Sequence, residues 1–385
     1  MNNKNIPLSV LDLVPVADGF SISQAIENST KLARAVEEFG FTRYWVAEHH
    51  NFSGIASAAT SVILSYIGAK TNKIRIGSGG IMLPNHAPLV IAEQFGTLES
   101  LYPNRIDLGL GRAPGTNRQT MLALRRDPNN DGSDFPMMLK YLQYYLSDEA
   151  GSKGIKAIPG YGLDIPIWLL CSSTFSASLA AQKGLPFVFA SHFAPDSMDD
   201  AVKIYHANFK ASAQLKEPYI MICINVICAQ TNEEAQYLAT SELQKFLYLH
   251  RGDDKQLQKP TKDMGSLWQE WEEKSIRHKT RESIWGKSVD GNLQKLLATK
   301  IGCSSWAEWI DYINGVDDDL PEIKSARDMF DNPTPAPPAI IDGVLRKGAK
   351  MICTGDSKSG KTCLLTNLAI CIAEGWDWLD HKCMQ

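Results

Sequence analysis

The chain has 385 residues, 44% of them hydrophobic and 21% charged, which is the composition of a folded protein and excludes a disordered or fibrous one. A net charge of −4 and the lack of a basic patch in the sequence argue against nucleic acid or an anionic membrane as a partner. The eight cysteines form no CxxC pair, and the sequence has neither a cleavable leader nor a long apolar run. We therefore expect a soluble, cytoplasmic protein, and we predict no metal site.

Short β-rich runs alternate with segments of helical periodicity from residue 6 onward, which is typical of parallel βα units. The predicted strands are 7–13, 44–47, 74–83, 106–110, 166–170, 186–190 and 219–227. The predicted helices are 22–39, 58–71, 87–102, 176–183, 197–211 and 233–246. Seven such units in a row predict a TIM (β/α)8-type barrel. A doubly wound open sheet is the alternative, but the segment after the first strand, VPVADGF, lacks the glycine fingerprint typical of that fold.

The pattern changes after the last of these helices. Residues 250–330 contain five tryptophans among many charges, and ESIWGKSVDGNLQKLL is only a faint substitute for an eighth strand. We therefore predict that the barrel lacks this strand. The expected organisation is a barrel over 1–268, a helical and charged connecting region over 269–332, a Pro-rich linker over 333–338 and a P-loop strand-helix fragment over 339–385.

Polar residues and glycines follow the predicted strands, at the end of a barrel where functional groups lie. In RYWVAEHH, Glu48 precedes His49 and His50, and a histidine can exchange a proton near pH 7, although one of two adjacent histidines is usually structural. Gly79 and Gly80 allow the backbone to approach a flat ring or adopt a strained peptide; they could equally just end a strand.

Two further strand ends carry candidate binding groups. Arg112, in NRIDLGLGRAPGT, is a planar fork suited to a phosphate or carboxylate, and a surface ion pair is the alternative. His192, in ASHFAP, either faces a substrate or is a satisfied core histidine.

Several strings in order resemble the bacterial-luciferase-like family of flavin monooxygenases: LSVLDL, WVAEHHN, IRIGSGGIMLPNHAPLVIAEQF, LYPNRIDLGLGRAPGT and ASHFAP. The resemblance covers about residues 7–268. It implies an eight-stranded barrel that binds reduced FMN, supplied by a separate flavin reductase, and reacts it with O2 to a flavin peroxide that oxidises a small organic substrate. It leaves the substrate open, allows a deazaflavin in place of FMN, and implies a homodimer.

The resemblance also implies roles for individual residues. His49 matches the catalytic histidine of the family, Gly79 and Gly80 match a pair that forms a non-proline cis peptide beside the isoalloxazine ring, and Arg112 matches a phosphate-binding arginine. The stretch IWLLCSSTFSASLAAQKGLPF resembles the strand-five loop and following helix of the family. It makes Ser172, Ser173 and Ser176 candidate phosphate ligands, with an ordinary helix N-cap as the alternative.

A second motif, GDSKSGKT at 355–362, fits the P-loop pattern with Gly355, Gly360, Lys361 and Thr362 at its fixed positions. Its surroundings resemble the start of RecA-like ATPases of the replicative-helicase type, which implies ATP phosphates on Lys361 and magnesium on Thr362 if the fragment folds. Because the sequence stops soon afterwards, we expect no hydrolysis. Two functions compete with a flavin monooxygenase: an ATP-binding replication-type protein with a degenerate barrel, and a flavin-binding protein without catalysis.

Overall fold

A parallel sheet organises the N-terminal part of the chain. The computed structural model describes residues 7–113, 117–127, 129, 132–152 and 154–287, and the backbone of 339–341 and 345–346. Within these residues seven strands pair in chain order, each parallel to its neighbour. They are β1 Ser9–Asp12, β2 Arg43–Val46, β3 Arg75–Met82, β4 Ile106–Gly111, β5 Ile167–Cys171, β6 Phe187–Phe189 and β7 Ile220–Ile222. The predicted α/β fold of the TIM-barrel type is confirmed.

Helices connect the strands and cover the outer face of the sheet. The first begins at a capping box, in which Ser21 accepts from the Gln24 backbone N–H and the Gln24 side chain accepts in return, and it ends before Gly40, whose φ is +76°. The helices are α1 Ile22–Glu38, α2 Thr60–Gly68, α3 Pro88–Leu101, α4 Arg118–Ala123, α5 Phe135–Leu146, α6 Thr174–Lys183, α7 Met198–Asn208, α8 Asn232–Arg251 and α9 Glu270–Lys279.

The two faces of the sheet bury different sets of side chains because successive residues of a strand point to opposite faces. The outer face, which includes Tyr44, Ile76 and Leu108, packs against the helices in the main core. On the other face Trp45 and Trp168 pack edge to face, with ring centroids 5.2 Å apart, and Val188 completes this inner cluster. The inner cluster thus covers the inner face of the sheet, below the strand ends at which the functional groups lie.

The predicted seventh strand is two strands in the structure. β7 stays with the seven-stranded sheet, whereas β8 Val226–Ala229 pairs in parallel with β9 Ile284–Lys287. The seven-stranded sheet has no eighth strand among the described residues, as predicted, but the discounted segment ESIWGKSVDGNLQKLL does contain a strand, β9, whose run of four residues around a glycine is too short to stand out. Its Ile284 donates its N–H to the Asn225 carbonyl and packs against Leu8, next to the start of β1. The described pair β8–β9 forms its own two-stranded sheet and does not join β1–β7.

Two helices between β4 and β5 were not predicted. In α5 the buried residues Phe135, Leu139, Leu142 and Leu146 recur at helical spacing, and the helix packs beside α3. The signal was present in FPMMLKYLQYYL, between segments that carry glycine, proline and aspartate.

The chain divides into two compact units, residues 1–318 and 319–385. In the second unit only the backbone of two short antiparallel strands is described, β10 Ala339–Ile341 and β11 Leu345–Arg346. The predicted linker over 333–338 and the P-loop residues Gly355, Gly360, Lys361 and Thr362 lie outside the described residues, and the predicted domain boundaries stay predictions. Among the described helices, none has the length and apolar character needed to cross a bilayer.

Candidate active site

A cavity of about 1150 Å³ opens where the strands of the sheet end. This volume is somewhat larger than that of most small-molecule sites, which span about 300–1,000 Å³. Residues in the C-terminal halves of β1 to β7, or just after these strands, contribute to its wall, as expected for the C-terminal end of a barrel. The wall includes every site residue predicted within the barrel, namely His49, Gly79, Gly80, Arg112, Ser172, Ser173 and Ser176, together with His192.

The two adjacent histidines after β2 have different surroundings. His49 lines the cavity and meets Phe52 edge to face, with ring centroids 5.9 Å apart. The Nε2 atom of His50 instead lies 2.7 Å from the Glu48 carboxylate. The geometry therefore gives His49 access to a ligand and ties His50 to a neighbouring side chain.

Glu48 is a fully buried carboxylate that holds this corner of the site together. It also accepts hydrogen bonds from the Met82 backbone N–H at 2.9 Å and from Asn85 Nδ2 at 3.2 Å, and His86 Nε2 lies 2.9 Å from both of its oxygens. Burial opposes ionisation of Glu48, but the contacts with His50, His86 and Met82 outweigh it and lower its pKa to about 2. Glu48 is therefore ionised and links the end of β2 to the end of β3.

The backbone of β3 forms one wall of the cavity at Gly79 and Gly80. The peptide bond between them is cis, as the resemblance implied. A Cβ atom at Gly79 would collide with the Leu11 side chain, and one at Gly80 would lie 2.8 Å from the Gly109 carbonyl oxygen. Gly80 therefore requires glycine, because its neighbour is fixed backbone, whereas a Cβ at Gly79 would require the Leu11 side chain to move; at both positions the wall presents bare backbone.

Two arginines that lie near each other line the cavity. The Arg112 guanidinium lies over the Phe175 ring, 4.5 Å from its centroid. Arg126, which the sequence analysis missed, is buried, and its Nε atom has no hydrogen-bond partner among the described residues. Burial lowers the pKa of Arg126; Asp134 opposes this effect and Arg112 adds to it. A buried guanidinium with an unused donor next to a second one fits an anionic group such as a phosphate.

The three serines lie at the start of α6. Ser173 is the N-cap, yet its side chain makes no capping hydrogen bond, and Ser176 is buried in the first turn. The alternative of an ordinary N-cap therefore lacks its defining contact. Ser172, Ser173 and Ser176 all face the cavity that Arg112 and Arg126 line, so hydroxyls and a helix start meet two cations there.

His192, after β6, is deep in the protein but faces the cavity. Its Nδ1 atom is buried without a partner in the described part of the chain. Burial, followed by the positive charge of Lys245 and by His49, lowers its pKa to about 4. His192 is therefore neutral near pH 7.

One face of α8, which the sequence analysis did not single out, supplies two ionisable groups. Leu238, Glu242, Lys245 and Leu249 recur at helical spacing and line the cavity. Burial lowers the pKa of Lys245 and raises that of Glu242. The spacing was visible in the sequence, but nothing in it distinguishes a helix face that meets a cavity from one that meets a core.

The segment that follows α8 lines the cavity and is bonded to the loops that follow β1 and β2. The Asp254 carboxylate accepts from the backbone N–H and the hydroxyl of Ser53, at 2.6 and 2.5 Å. Leu257 exchanges backbone hydrogen bonds with the segment after β1, donating to Val16 at 2.9 Å and accepting from Asp18 at 2.9 Å. The end of α8 is thereby fastened to the loops that follow β1 and β2.

The thiols near the cavity are not poised for nucleophilic chemistry. Burial raises the pKa of Cys171 and of Cys223 to about 12, so both stay protonated. Among the described residues, no three histidine, cysteine or acidic side chains are arranged to hold a metal ion.

Comparison with known proteins agrees with this geometry. Residues 8–282 match the luciferase-like monooxygenase family, and residues 319–385 match an AAA domain. A luciferase-like monooxygenase of Escherichia coli K12 is 50% identical over 299 residues, which are 77% of this chain and 89% of that protein. An N-acetyl-S-alkylcysteine monooxygenase of Bacillus subtilis 168 is 34% identical over 237 residues, which are 60% of this chain and 70% of that protein.

Solved structures give the same result. The crystal structure of apo-MsnO8 superposes with a TM-score of 0.65 at 31% identity, over 78% of this chain and 91% of that one. The barrel and the segment that contains the P-loop thus have separate relatives, as the two resemblances in the sequence indicated. Over residues 8–282, the chain belongs to the luciferase-like monooxygenase family.

Proposed function

We propose that the N-terminal domain is a flavin-dependent monooxygenase that uses a reduced flavin and O2 to oxidise a small organic substrate. One observation carries the proposal: His49, the Gly79–Gly80 wall, Arg112 and the serines at the start of α6 come from four strand ends and line one cavity. Had they lain on separate faces, no single ligand could have met them all.

The residues present fit a flavin. The Gly79–Gly80 wall presents backbone without side chains to the cavity, which suits the flat ring system. Arg112, Arg126 and the hydroxyls of Ser172, Ser173 and Ser176 would hold a phosphate, because the buried Arg126 Nε has no other partner among the described residues. FMN is the expected form, with a deazaflavin as the alternative, and a separate reductase would supply it reduced.

When bound, the reduced flavin supplies two electrons and activates O2, so that one oxygen atom enters the substrate and the other leaves as water. The protein's own contribution is to orient, to exclude water and to handle protons. His49 faces the cavity and would hold or deliver a proton at the reacting oxygen. The segment fastened by Asp254 to Ser53 lines the cavity and would limit the access of water.

The named relative suggests a substrate class. An N-acetyl-S-alkylcysteine contains a thioether, whose sulfur accepts an oxygen atom readily, and thioethers are therefore the first substrates to try. The implied homodimer is part of the same proposal.

The test uses the full chain with FMN, NADH and a flavin reductase, and it follows product by mass spectrometry. His49→Ala is expected to lower turnover by about 10²–10⁴-fold while flavin binding is kept, because general acid-base groups contribute that much. His50→Gln is the matched control: it changes the adjacent histidine, which is bound to Glu48, and should lower turnover less than tenfold. Unchanged turnover in His49→Ala would remove this residue from the mechanism. A wild type that binds FMN without any turnover would identify a flavin-binding protein without catalysis.

The AAA match over residues 319–385 favours a second candidate function, ATP binding through Gly355, Gly360, Lys361 and Thr362. Stabilisation by ATP with magnesium, and none by FMN, would support the ATP-binding alternative.

A further inference from the structure

The cavity contains a cationic group that the flavin site does not use. Lys245 lines the cavity from α8 and lies close enough to His192 for its charge to lower the pKa of that residue, whose carbonyl oxygen accepts from Asn225. The side chain is deep in the protein but keeps accessible surface, because that surface faces the cavity. Its ammonium group is therefore positioned to meet a ligand.

Lys245 has unused hydrogen-bonding capacity. An ammonium group has three donors and no acceptor. Within the part of the chain that the structure describes, Lys245 forms neither a hydrogen bond nor an ion pair. Glu242 is near enough to act on it electrostatically but is engaged elsewhere, accepting from Trp285 Nε1 at 3.0 Å and from the Ser283 hydroxyl at 3.3 Å. Taking an ammonium group out of water is unfavourable unless an acceptor replaces the water.

The residues around Lys245 indicate the chemical character of the ligand that would carry this acceptor. Leu238, Phe246 and Leu249 line the cavity from the same helix as Lys245, and Phe52 and Val188 add to its apolar lining. His192 is neutral near pH 7 and adds a polar atom, Nδ1, that has no partner in the described part of the chain. An occupant that satisfies all of these groups has an apolar body and one anionic oxygen group.

Resting on the proposed monooxygenase function, we propose that the substrate is an apolar organic molecule with a carboxylate, and that Lys245 binds this carboxylate. A carboxylate is favoured over a neutral carbonyl because its negative charge adds a Coulombic attraction to the ammonium group, which a neutral carbonyl oxygen lacks. Lys245 is thus a specificity-determining residue, separate from the arginines that would hold the flavin phosphate.

The test measures ligand binding by calorimetry on the full-length protein without flavin, with octanoate and octanamide as probes of equal chain length. The wild type is expected to bind octanoate about tenfold more tightly than octanamide, and Lys245→Met to abolish this difference without changing octanamide binding. The matched variant Lys255→Met should keep the preference. Lys255 is an exposed lysine of the same cavity whose ammonium lies 3.9 Å from the centroid of the Tyr248 ring.

Glu242→Gln tests whether the effect of Lys245→Met on octanoate binding is electrostatic or only structural. Removing the negative charge beside Lys245 should tighten octanoate binding severalfold and leave octanamide unchanged. Unchanged preference in Lys245→Met, equal loss in Lys255→Met, or weaker octanoate binding in Glu242→Gln would each overturn the proposal. FMN titration of the same variants, followed by absorbance, reports on the proposed function separately, and Lys245→Met should bind FMN as the wild type does.

Discussion

At the scale of single residues, the surroundings set the charge states of Glu48, beside the cavity, and of His192, which lines it. Glu48 is kept ionised by the donors around it, whereas His192 is kept neutral by burial and by the nearby charge of Lys245. Adjacent residues differ for the same reason: His50 is bound to Glu48 and His49 faces the cavity. The chemistry of this site depends on where each side chain points as much as on its type.

The lowered pKa of His192 predicts a pH-dependent stability. Its pKa is about 4 in the folded protein, whereas the ordinary value of 6.5 applies to the unfolded chain, which therefore binds a proton that the folded chain rejects between these values. The free energy of unfolding should fall as the pH falls through this window, by about 2 kcal/mol between pH ~6.5 and pH ~5 from this residue alone.

Urea unfolding at a series of pH values above about 5 avoids the range in which Glu48 begins to lose its own contribution, which starts as the pH approaches 4.5. His192→Gln removes the titrating group and should flatten the slope in this window. Equal slopes in the wild type and His192→Gln would show that His192 is protonated in the folded protein.

At the scale of elements, each of these helices buries one face. Whether that face packs into the core or lines the cavity depends on what lies opposite it. The buried face of α5 packs into the main core beside α3, whereas a face of α8 with the same kind of spacing lines the cavity. Periodicity predicts that a helix has a buried face. It does not predict whether that face meets a core or a ligand, and for this reason Glu242 and Lys245 were missed.

The packing of α5 predicts a contrast between two neighbouring substitutions. Leu142 is fully buried, so Leu142→Ala should lower the free energy of unfolding by about 2–5 kcal/mol through lost burial and a cavity. Tyr141 is 52% exposed, and Tyr141→Ala should change it by less than about 1 kcal/mol. Chemical denaturation of both variants measures the difference. Similar effects at the two positions would mean that α5 does not pack by the face described.

At the scale of the whole molecule, the alternation of strands and helices was enough to predict the barrel-type fold and its seven parallel strands. The strand ends also identified the residues that meet in the cavity, because parallel strands bring their ends together whatever their separation in sequence. β9 escaped because its partner β8 lies more than fifty residues away, and short strands are stabilised by such distant pairing rather than by local preference. Arg126 was not predicted as a site residue for a related reason: it lies between elements, and only the fold brings it close to Arg112.

The proposed flavin site predicts stabilisation of the whole N-terminal domain. FMN at about a hundred times its dissociation constant should stabilise the folded state by about 2.7 kcal/mol and raise its melting temperature by several degrees. Riboflavin, which lacks the phosphate, should give a smaller shift, because Arg112, Arg126 and the serines then have no anion to bind. ATP with magnesium should leave this transition in place. Equal shifts with FMN and riboflavin would contradict the assignment of these residues to the phosphate.

The described side chains that line the cavity all come from one continuous stretch, between Leu11 and Lys279. Recombination downstream of that stretch can therefore replace the C-terminal segment without changing the residues that line the cavity. Selection for a new substrate and acquisition of a new C-terminal segment would then be independent events in the history of such a gene.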